Sequence, residues 1–431
     1  MLLGFVIFII LILSNYNFKT LKMRILLTSL SSLFFIFFTT YVFSQPRETT
    51  SLNNNWEFSL NNADIKSLDS DSVQWETINV PHTWNNKDIQ SGEKVYYGTG
   101  WYKKELPPGQ FKKDREYFLR FEGVGQYAEV YMNSKFVGEH LGSYSTFVFN
   151  ITKFILPDTT NTLLVKVNNE LNLSYPKDNF LFGIYGGIYR PVSLISTGEL
   201  HIALIDNASS GVFIHQDEVS HEKASLTIVT DLKNDGSEIH NVKLKQSLYS
   251  QEGELIATNT EDLNLYPGGI KPVNSRMEIG NPHLWNGRKA PYLYRLETEL
   301  IQNGRVLDKV SNTTGMRFYR IDKEKGFILN GEPYRLYGVC RHQEWENKGN
   351  ALLPKHHKKD MELIYEIGAT SIRLAHYEQA DYIYSLADSM GILIWAEIPF
   401  INGYKEGADG NALQQLTELI KQRFNHPSIF V

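Results

Sequence analysis

Histidine, arginine and glutamate side chains follow three short apolar segments in the last quarter of the chain. His342 lies just after the first segment, Arg373 and His376 lie at the end of the second, and Glu397 follows the third. A neutral imidazole both donates and accepts hydrogen bonds, which suits a hydroxyl group, while a guanidinium and a carboxylate hold opposite charges. If the segments are neighbouring parallel strands, these side chains meet at one edge of a sheet.

Other reactive residue types in the same region receive structural interpretations. The adjacent His356 and His357 lie at a predicted helix start without a carboxylate cluster, so we predict no metal site there. Cys340 is the one cysteine of the chain, which excludes an intrachain disulfide. It has no histidine placed to activate it, and we predict a buried thiol. Glu344 and Glu346 are predicted to lie solvated on the loop after the first strand.

The elements around these residues alternate between strand and helix. Apolar runs predict strands, and a spacing of three to four residues predicts helices, with Met361, Ile364 and Ile367 on one helix face. The predicted strands are Tyr334 to Val339, Ser371 to Leu374, Ile392 to Ala396 and Ser428 to Val431, and the predicted helices are Lys355 to Ile367, Asp381 to Met390 and Leu413 to Phe424. This alternation predicts parallel βα units. A (β/α)8 barrel needs about 250 residues, and about 110 remain after Arg320, so we expect the first half of a barrel in a truncated chain.

Two all-β regions precede these units. Short strands separated by turns predict a jelly-roll β-sandwich over residues 45–198, an immunoglobulin-like β-sandwich over 199–315, and the incomplete barrel over 316–431. Ala128 to Met132, the turn Asn133-Ser134-Lys135 and Phe136 to Gly138 form a predicted hairpin. Further predicted strands are Tyr117 to Phe121, Asn161 to Val167, Ala224 to Leu232, Val242 to Tyr249 and Tyr294 to Gln302.

The N-terminus is predicted to be a targeting segment. Two apolar stretches, Leu2 to Leu13 and Ile25 to Phe43, flank a short basic segment, and Met23 begins a pattern typical of a signal peptide. We predict cleavage near Ser44, a signal peptide over residues 1–44 in which the part before Met23 is an over-extended start, and a secreted or periplasmic protein. An uncleaved membrane anchor is the alternative, because about 19 apolar residues can span a bilayer.

Composition restricts the class of partner. The formal net charge is −5, and the mature part has no long basic run, so nucleic-acid binding is not expected. The 24 Tyr, 24 Phe and 7 Trp residues suit β-rich domains and carbohydrate-stacking surfaces.

Seven motifs occur in an order that covers the whole mature chain. They are Tyr185-Gly186-Gly187-Ile188-Tyr189-Arg190-Pro191-Val192, Asn281-Pro282-His283-Leu284-Trp285, Gly326-Phe327-Ile328-Leu329-Asn330-Gly331, Gly338-Val339-Cys340-Arg341-His342-Gln343, Ile372-Arg373-Leu374-Ala375-His376-Tyr377, Trp395-Ala396-Glu397-Ile398-Pro399 and Asn425-His426-Pro427-Ser428. Together they resemble the β-galactosidase branch of glycoside hydrolase family 2. Cys340 departs from the asparagine usual in that branch.

The resemblance implies roles for five residues. His342 and His376 would hydrogen-bond hydroxyls of the sugar in the −1 subsite. Arg373 would lie near the nucleophilic carboxylate, with an internal ion pair at the barrel rim as the alternative. Glu397 would either contact the substrate or support a residue that does, and Asp178 would reach the barrel mouth from the first sandwich.

The resemblance also implies a retaining exo-β-glycosidase, with β-galactosidase as the main prediction, that acts on an oligosaccharide or glycoside and can form a homo-oligomer. A β-glucuronidase and a non-catalytic carbohydrate-binding product are the alternatives. Both catalytic glutamates are expected after Val431, so the chain as given is predicted to be inactive. No cofactor is expected, because Phe400-Ile401-Asn402-Gly403 lacks the acidic and histidine ligands with which some relatives hold Mg²⁺.

Overall fold

The first region of the fold is an antiparallel β-sandwich. The structure is a computed structural model that describes residues 46–431 except 69, 93, 171, 173, 177–182 and 402–404. The predicted signal peptide or anchor and Asp178 therefore lie outside the described residues. The elements are β1 (Glu48–Ser51), β2 (Trp56–Ser59), a 3-10 helix (Ile65–Ser67), β3 (Glu76–Ile78), α1 (Asp88–Ser91), β4 (Thr99–Leu106), β5 (Glu116–Phe121), β6 (Tyr127–Met132), β7 (Lys135–Leu141), β8 (Phe147–Asn150), a 3-10 helix (Thr152–Phe154), β9 (Asn161–Asn168) and β10 (Val192–Thr197).

Two sheets form this sandwich, with strand orders β1-β10-β5-β8 and β3-β2-β4-β9-β6-β7. The predicted hairpin is present as β6 and β7, joined at Asn133 and Ser134, whose φ angles of 52° and 61° are those of a tight left-handed turn. Alternate side chains of β6 and β9 point inward and join a core around Trp56 and Tyr102. The period-two burial is what a sheet with one buried face requires.

The second region is another sandwich of longer strands. Its elements are β11 (Leu200–Ile202), β12 (Val212–Val219), β13 (Lys223–Asn234), β14 (His240–Tyr249), β15 (Leu255–Leu265), β16 (Lys271–Gly280), a 3-10 helix (Gly287–Lys289), β17 (Tyr294–Gln302) and β18 (Arg305–Thr314). β13 pairs with β11, β12 and β16, and the facing sheet has the order β15-β14-β17-β18. The inward leucines, isoleucines and valines of both sheets form a separate core. This arrangement confirms an immunoglobulin-like sandwich without a disulfide.

The third region begins with a small antiparallel sheet and continues as parallel βα units. Its elements are β19 (Tyr319–Asp322), β20 (Gly326–Leu329), β21 (Glu332–Pro333), β22 (Gly338–Arg341), α2 (Pro354–Glu366), β23 (Ser371–Leu374), α3 (Asp381–Met390), β24 (Leu393–Trp395) and α4 (Asp409–Arg423). β22, β23 and β24 pair in parallel. Val339, Ile372 and Ile394 share the sheet face that packs on Met361 and Ile383 of the helices. Burying each large side chain of this kind contributes about 1.5–3 kcal/mol.

Several predicted elements of the third region are displaced. The first barrel strand is Gly338–Arg341 and not Tyr334 to Val339. The Tyr337 carbonyl accepts from the backbone N–H groups of Thr370 and Ser371, which marks where pairing with the next strand starts. Ile367 does not share the buried helix face, since it caps the helix and is 70% exposed.

The chain end pairs with the sheet without forming a regular strand. Ser428 to Val431 was predicted as a strand, and the structure has an isolated parallel bridge between Ile394 and Ile429. The Ile394 N–H donates to the Ser428 carbonyl at 2.7 Å. The pairing direction is therefore the one expected for a fourth parallel segment.

Cys340 is exposed, which corrects the prediction of a buried thiol. It pairs in register with Arg373, and Arg373 pairs with Trp395, so the three lie in one row on the sheet face opposite the helices. Apolar neighbours in the sequence suggested burial, but the strand alternation places Val339 and not Cys340 against the helices.

Candidate functional site

The predicted site residues that the structure describes lie together at the carboxyl edge of the parallel sheet. β22, β23 and β24 run side by side, so the loops after them open on the same edge. His342, His376 and Glu397 each lie within two residues of a strand end. Arg373 is the next-to-last residue of β23 and lies at the same edge of the sheet. Parallel strands with short connections are what bring these four distant positions together.

The Glu397 carboxylate is the centre of the cluster. Arg373 Nε donates to Oε2 at 3.0 Å, and Arg373 Nη2 lies 2.9 Å from Oε1 in an ion pair. His376 Nδ1 lies 2.9 Å from Oε1. A two-pronged contact between a guanidinium and a carboxylate fixes the geometry of both groups. We call Arg373, His376 and Glu397 the rim clamp.

The rim clamp defines the protonation of His376. A carboxylate only accepts hydrogen bonds, so the contact with Glu397 requires the proton on Nδ1 and leaves the lone pair on Nε2. The 3.1 Å approach of Arg373 Nη2 to Nδ1 is then a close contact without a hydrogen bond. His376 thus presents an acceptor toward whatever occupies the edge of the sheet. Arg373 is held charged, because its hydrogen bond to Glu397 raises its pKa.

His342 lies next to the clamp and is neutral at neutral pH. Its ring centroid is 5.4 Å from that of His376, with the ring planes at 79°. The residue is exposed at the rim, yet surrounding atoms desolvate its ring enough to lower its pKa. The Glu344 and Glu397 carboxylates raise this pKa, while the nearby Arg373 guanidinium lowers it, so burial is the effect that decides the direction. Two imidazoles at right angles thus face the same opening.

Glu344 belongs to this rim and was misjudged from the sequence. The prediction placed it in solvent, but its Oε2 accepts from the Tyr185 hydroxyl at 3.0 Å, so it is half-buried against the first sandwich. Burial first, and the Glu344 charge next, raise the Tyr185 pKa well above its usual range. Tyr185 opens the Tyr-Gly-Gly motif, and that position was the signal in the sequence. Glu346 is exposed, as predicted.

A buried network supports the loop that carries His342. Arg341 donates to Asp360 Oδ2 from Nε at 3.0 Å and from Nη2 at 2.6 Å, and Trp345 Nε1 donates to Asp360 Oδ1 at 2.9 Å. His357 Nδ1 lies 3.1 Å from Arg341 Nη2. Burial, with the Arg341 charge second, lowers the pKa of His357 to about 3. His357 is therefore a neutral acceptor in this network, and Asp360 of α2 binds Arg341 and Trp345, which lie on either side of His342 in the chain.

The first sandwich closes one side of the site. The Tyr377 hydroxyl accepts from the Gln343 N–H at 3.0 Å, and the Tyr377 ring stacks on Tyr144 with centroids 4.1 Å apart. Arg190 is 2% exposed and donates to the Glu378 carbonyl at 2.7 Å. The tyrosine-rich motif of the sandwich thus packs directly behind the rim.

Neither a metal cluster nor a membrane helix is found among the described residues. No group of three or more histidine, cysteine, aspartate or glutamate side chains there could hold a metal ion. In the same part of the chain, no helix is long and apolar enough to cross a membrane. Asn402 and Gly403, which entered the argument about Mg²⁺, lie outside the described residues.

Three family models match consecutive parts of the chain. Residues 49–198 match the sugar binding domain of Glycosyl hydrolases family 2, residues 205–317 match the model named Glycosyl hydrolases family 2, and residues 320–431 match the TIM barrel domain of that family. The matches follow the order of the two sandwiches and the βα units.

Known proteins resemble the chain over most of its length. A β-glucuronidase of Bacteroides fragilis is 38% identical over 92% of this chain and 57% of its own length. A β-galactosidase of Thermoanaerobacter pseudethanolicus is 30% identical over 89% of this chain and 51% of its own length. The crystal structure of a Bacteroides uniformis β-glucuronidase has a TM-score of 0.83 at 37% identity, over 89% of this chain and 46% of that one. The chain spans about half the length of the relatives it matches.

Proposed function

This chain belongs to glycosyl hydrolases family 2, and from that premise we propose that the protein is an exo-acting β-glycosidase that prefers β-glucuronides. The relatives from Bacteroides fragilis and Bacteroides uniformis are both named β-glucuronidase, and they are more similar to this chain than the β-galactosidase of Thermoanaerobacter pseudethanolicus is. A solved structure from Bacteroides fragilis that is named putative β-galactosidase is 43% identical, so the preference for β-glucuronides rests on the more frequent name among the relatives and not on the highest identity. The sequence alone favoured a β-galactosidase, and the balance of relatives moves our preference to the alternative.

The rim clamp is the observation that carries the proposal. Glu397 binds His376 at Nδ1 and thereby orients its ring, and neutral His342 lies beside it. We assign to these two imidazoles the binding of hydroxyl groups of the terminal sugar. In this assignment His376 accepts a hydrogen bond through Nε2, because its Nδ1 proton is donated to Glu397. Glu397 and Arg373 act as positioning residues that hold His376 in one tautomer.

The described residues hold and orient the sugar in this proposal. Retaining glycosidases cleave with two carboxylic acids, one that protonates the leaving oxygen and one that attacks the anomeric carbon. A sugar ring held by several directed hydrogen bonds would present its anomeric carbon in a fixed position, which is the entropic part of catalysis.

A β-galactosidase is the second candidate. The Arg341-His342-Gln343 stretch resembles that branch, and the Thermoanaerobacter pseudethanolicus relative carries that name. The two candidates differ in the substituent at C5, a carboxylate in the glucuronide and a hydroxymethyl group in the galactoside.

A panel of nitrophenyl β-glycosides assayed on the protein purified from its natural host separates the two. We expect kcat/KM to be highest for the β-glucuronide. Higher turnover of the β-galactoside would replace our preference by the second candidate, and hydrolysis of neither would contradict the proposed activity.

A binding experiment tests the site independently of turnover. We expect glucuronate to bind the 431-residue chain in a titration followed by calorimetry, and His376→Ala to weaken it at least tenfold. His215→Ala, which removes an exposed histidine of the second sandwich, is the matched control and should bind as the unchanged chain does. Equal weakening by both variants would argue against the rim as the sugar site.

A further inference from the structure

A cavity that is separate from the rim clamp lies between the first sandwich and the loop after β22. Its volume is about 230 Å³, which is below the roughly 300–1,000 Å³ of pockets for drug-sized molecules. None of His342, Arg373, His376 and Glu397 lines it. Its polar lining residues are Asn79, His82, Thr83, Asn86, Asn347, Lys348 and His356.

His356 places a hydrogen-bond donor in this lining. The residue is 8% exposed, and its Nδ1 accepts the Leu353 N–H at 3.0 Å at the start of α2. That contact puts the imidazole proton on Nε2. Within the described part of the chain, no hydrogen bond of Nε2 is found, so this N–H at the cavity wall can donate to a bound group.

His82 faces the cavity from the sandwich side with the same tautomer. Its Nδ1 lies 2.8 Å from the Tyr102 hydroxyl, which itself receives a hydrogen bond from the Ile188 backbone. The hydroxyl proton is therefore free to point at Nδ1, and the imidazole proton lies on Nε2. Burial lowers the pKa of His82 to about 4, and burial lowers that of His356 as well. Both rings are neutral donors at neutral pH.

The charge at the cavity is positive. Lys348 lines it, while no aspartate or glutamate does. α2 has 13 residues and begins at Pro354, beside the lining residues Leu353 and His356, so the positive end of its dipole lies at the wall. A cation, two imidazole N–H groups and side-chain amides form a lining rich in donors, which suits the oxygen atoms of an anion.

We propose that this cavity is a binding site for a small oxyanion, either an inorganic sulfate or phosphate or the carboxylate of a small acid, held by His82, Lys348 and His356. The bound anion contacts the first sandwich and the loop that carries His342 together. Its occupancy thereby stabilises the packing of the two regions.

Titration of the full chain with sodium sulfate and, separately, with sodium glucuronate tests the site, with sodium chloride at matched ionic strength as reference. His356→Glu is the informative variant. A glutamate at this third helical position still accepts the Leu353 N–H, as in a capping box, so the fold is kept while the cavity gains a negative charge. We expect saturable binding of at least one oxyanion, at least a tenfold loss in Lys348→Ala, and no detectable binding in His356→Glu.

Lys358→Ala controls for the general loss of a lysine from α2, because Lys358 is exposed and does not line the cavity. It should bind as the unchanged chain does. Binding of sulfate alone identifies an inorganic ligand, and binding of glucuronate alone identifies an organic acid. Since glucuronate also binds at the rim in the proposed function, the glucuronate titrations of every variant are made in the His376→Ala background, where the cavity binding must remain. Absence of saturable binding of both sulfate and, in that background, glucuronate overturns the proposal, as does binding under these conditions that survives His356→Glu; neither outcome bears on the rim.

Discussion

Two networks of arginines and carboxylates in this molecule use the same residue types in different surroundings. The first is the rim clamp at the edge of the parallel sheet. The second, which we call the interface network, joins the first sandwich to the helices through Arg120, Glu378, Asp381 and Arg423. Arg423 Nε donates to Glu378 Oε1 at 2.8 Å, and its Nη2 donates to Asp381 Oδ1 at 2.5 Å. Arg120 of β5 binds the other Asp381 oxygen.

The central arginines of the two networks differ in burial. The side chains of Arg423 and Glu378 are 5% and 2% exposed, whereas that of Arg373 in the rim clamp is 39% exposed. A buried charge that loses its partner has no water to replace it, while an exposed one does. The comparison indicates that the interface network holds domains together, and that the rim clamp orients groups for a ligand at little gain in stability.

The largest expected effect is the loss of the buried arginine. Arg423→Met removes the partner of Glu378 and of one Asp381 oxygen at once, and we expect the protein to lose about 3–5 kcal/mol of stability. Calorimetric unfolding measures it as a lowered Tm. Lys421→Met, two residues away on α4, removes a partly exposed pair with Asp206 and should cost under about 1 kcal/mol. Similar losses in both variants would mean that burial does not distinguish the pairs.

The two carboxylates of the interface network should differ in how much stability their replacement costs, and both costs should be smaller than that of Arg423→Met. Burial alone would raise the pKa of Asp381, but Arg423 and Arg120 hold it well below its usual range. Burial raises the pKa of Glu378, although the Arg423 charge acts in the opposite direction. We expect Asp381→Asn to cost about 2 kcal/mol and Glu378→Gln less than about 1 kcal/mol, because only Asp381 is strongly favoured as an anion.

The pH dependence follows with opposite signs. A carboxyl group whose pKa is lower in the folded protein stabilises the fold at pH values above the pKa of the unfolded chain, about 3.9 for aspartate. This contribution is lost as the pH falls from there toward the pKa of the folded protein. A group whose pKa is raised on folding, as for Glu378, instead stabilises the fold at low pH, and this contribution is lost as the pH rises. Urea unfolding between pH 7 and 3 should therefore show a flatter acid loss in Asp381→Asn than in the unchanged chain. An unchanged acid slope would contradict the assignment.

The rim clamp should respond in binding more than in stability. Glu397→Gln keeps the shape of the side chain but removes the charge that pairs with Arg373 and fixes the His376 proton. We expect affinity for the sugar to fall at least tenfold, and stability by less than about 1 kcal/mol. Glu362→Gln on the exposed face of α2 is the control and should change neither. A loss of stability as large as that of Arg423→Met would remove the distinction between the two networks.

The regular elements could be predicted from the sequence because their signals are local. The Asn133-Ser134 turn, the period of two in β6 and the helix at Asp381 each depend on residues within a few positions. The first barrel strand was misplaced because Tyr334 and its apolar neighbours satisfy the same local pattern. Its true start is set by hydrogen bonds to Thr370, far along the chain.

The site was predictable in its residues and not in its contacts. Motif order identified His342, Arg373, His376 and Glu397, but the pairing of Arg373 with Glu397 depends on strand register. The contact of Glu344 with Tyr185 joins positions 159 residues apart. Only the packing of the sandwich against the rim brings them together, so no local pattern in the sequence carries this information.

The smallest expected effect is a pH dependence of sugar binding that originates in His342. Partial burial holds its pKa below the ordinary value of about 6.5, so the neutral ring that binds a hydroxyl persists to lower pH than in a free histidine. Affinity should therefore be constant from pH 8 to pH 6.5 and decline only below it, as protonation removes the acceptor. In Glu344→Gln, a nearby negative charge that raises this pKa is lost, so the decline should move to still lower pH. Calorimetric titrations over this range would contradict the role of His342 if the decline began above pH 7, or if Glu344→Gln moved it upward.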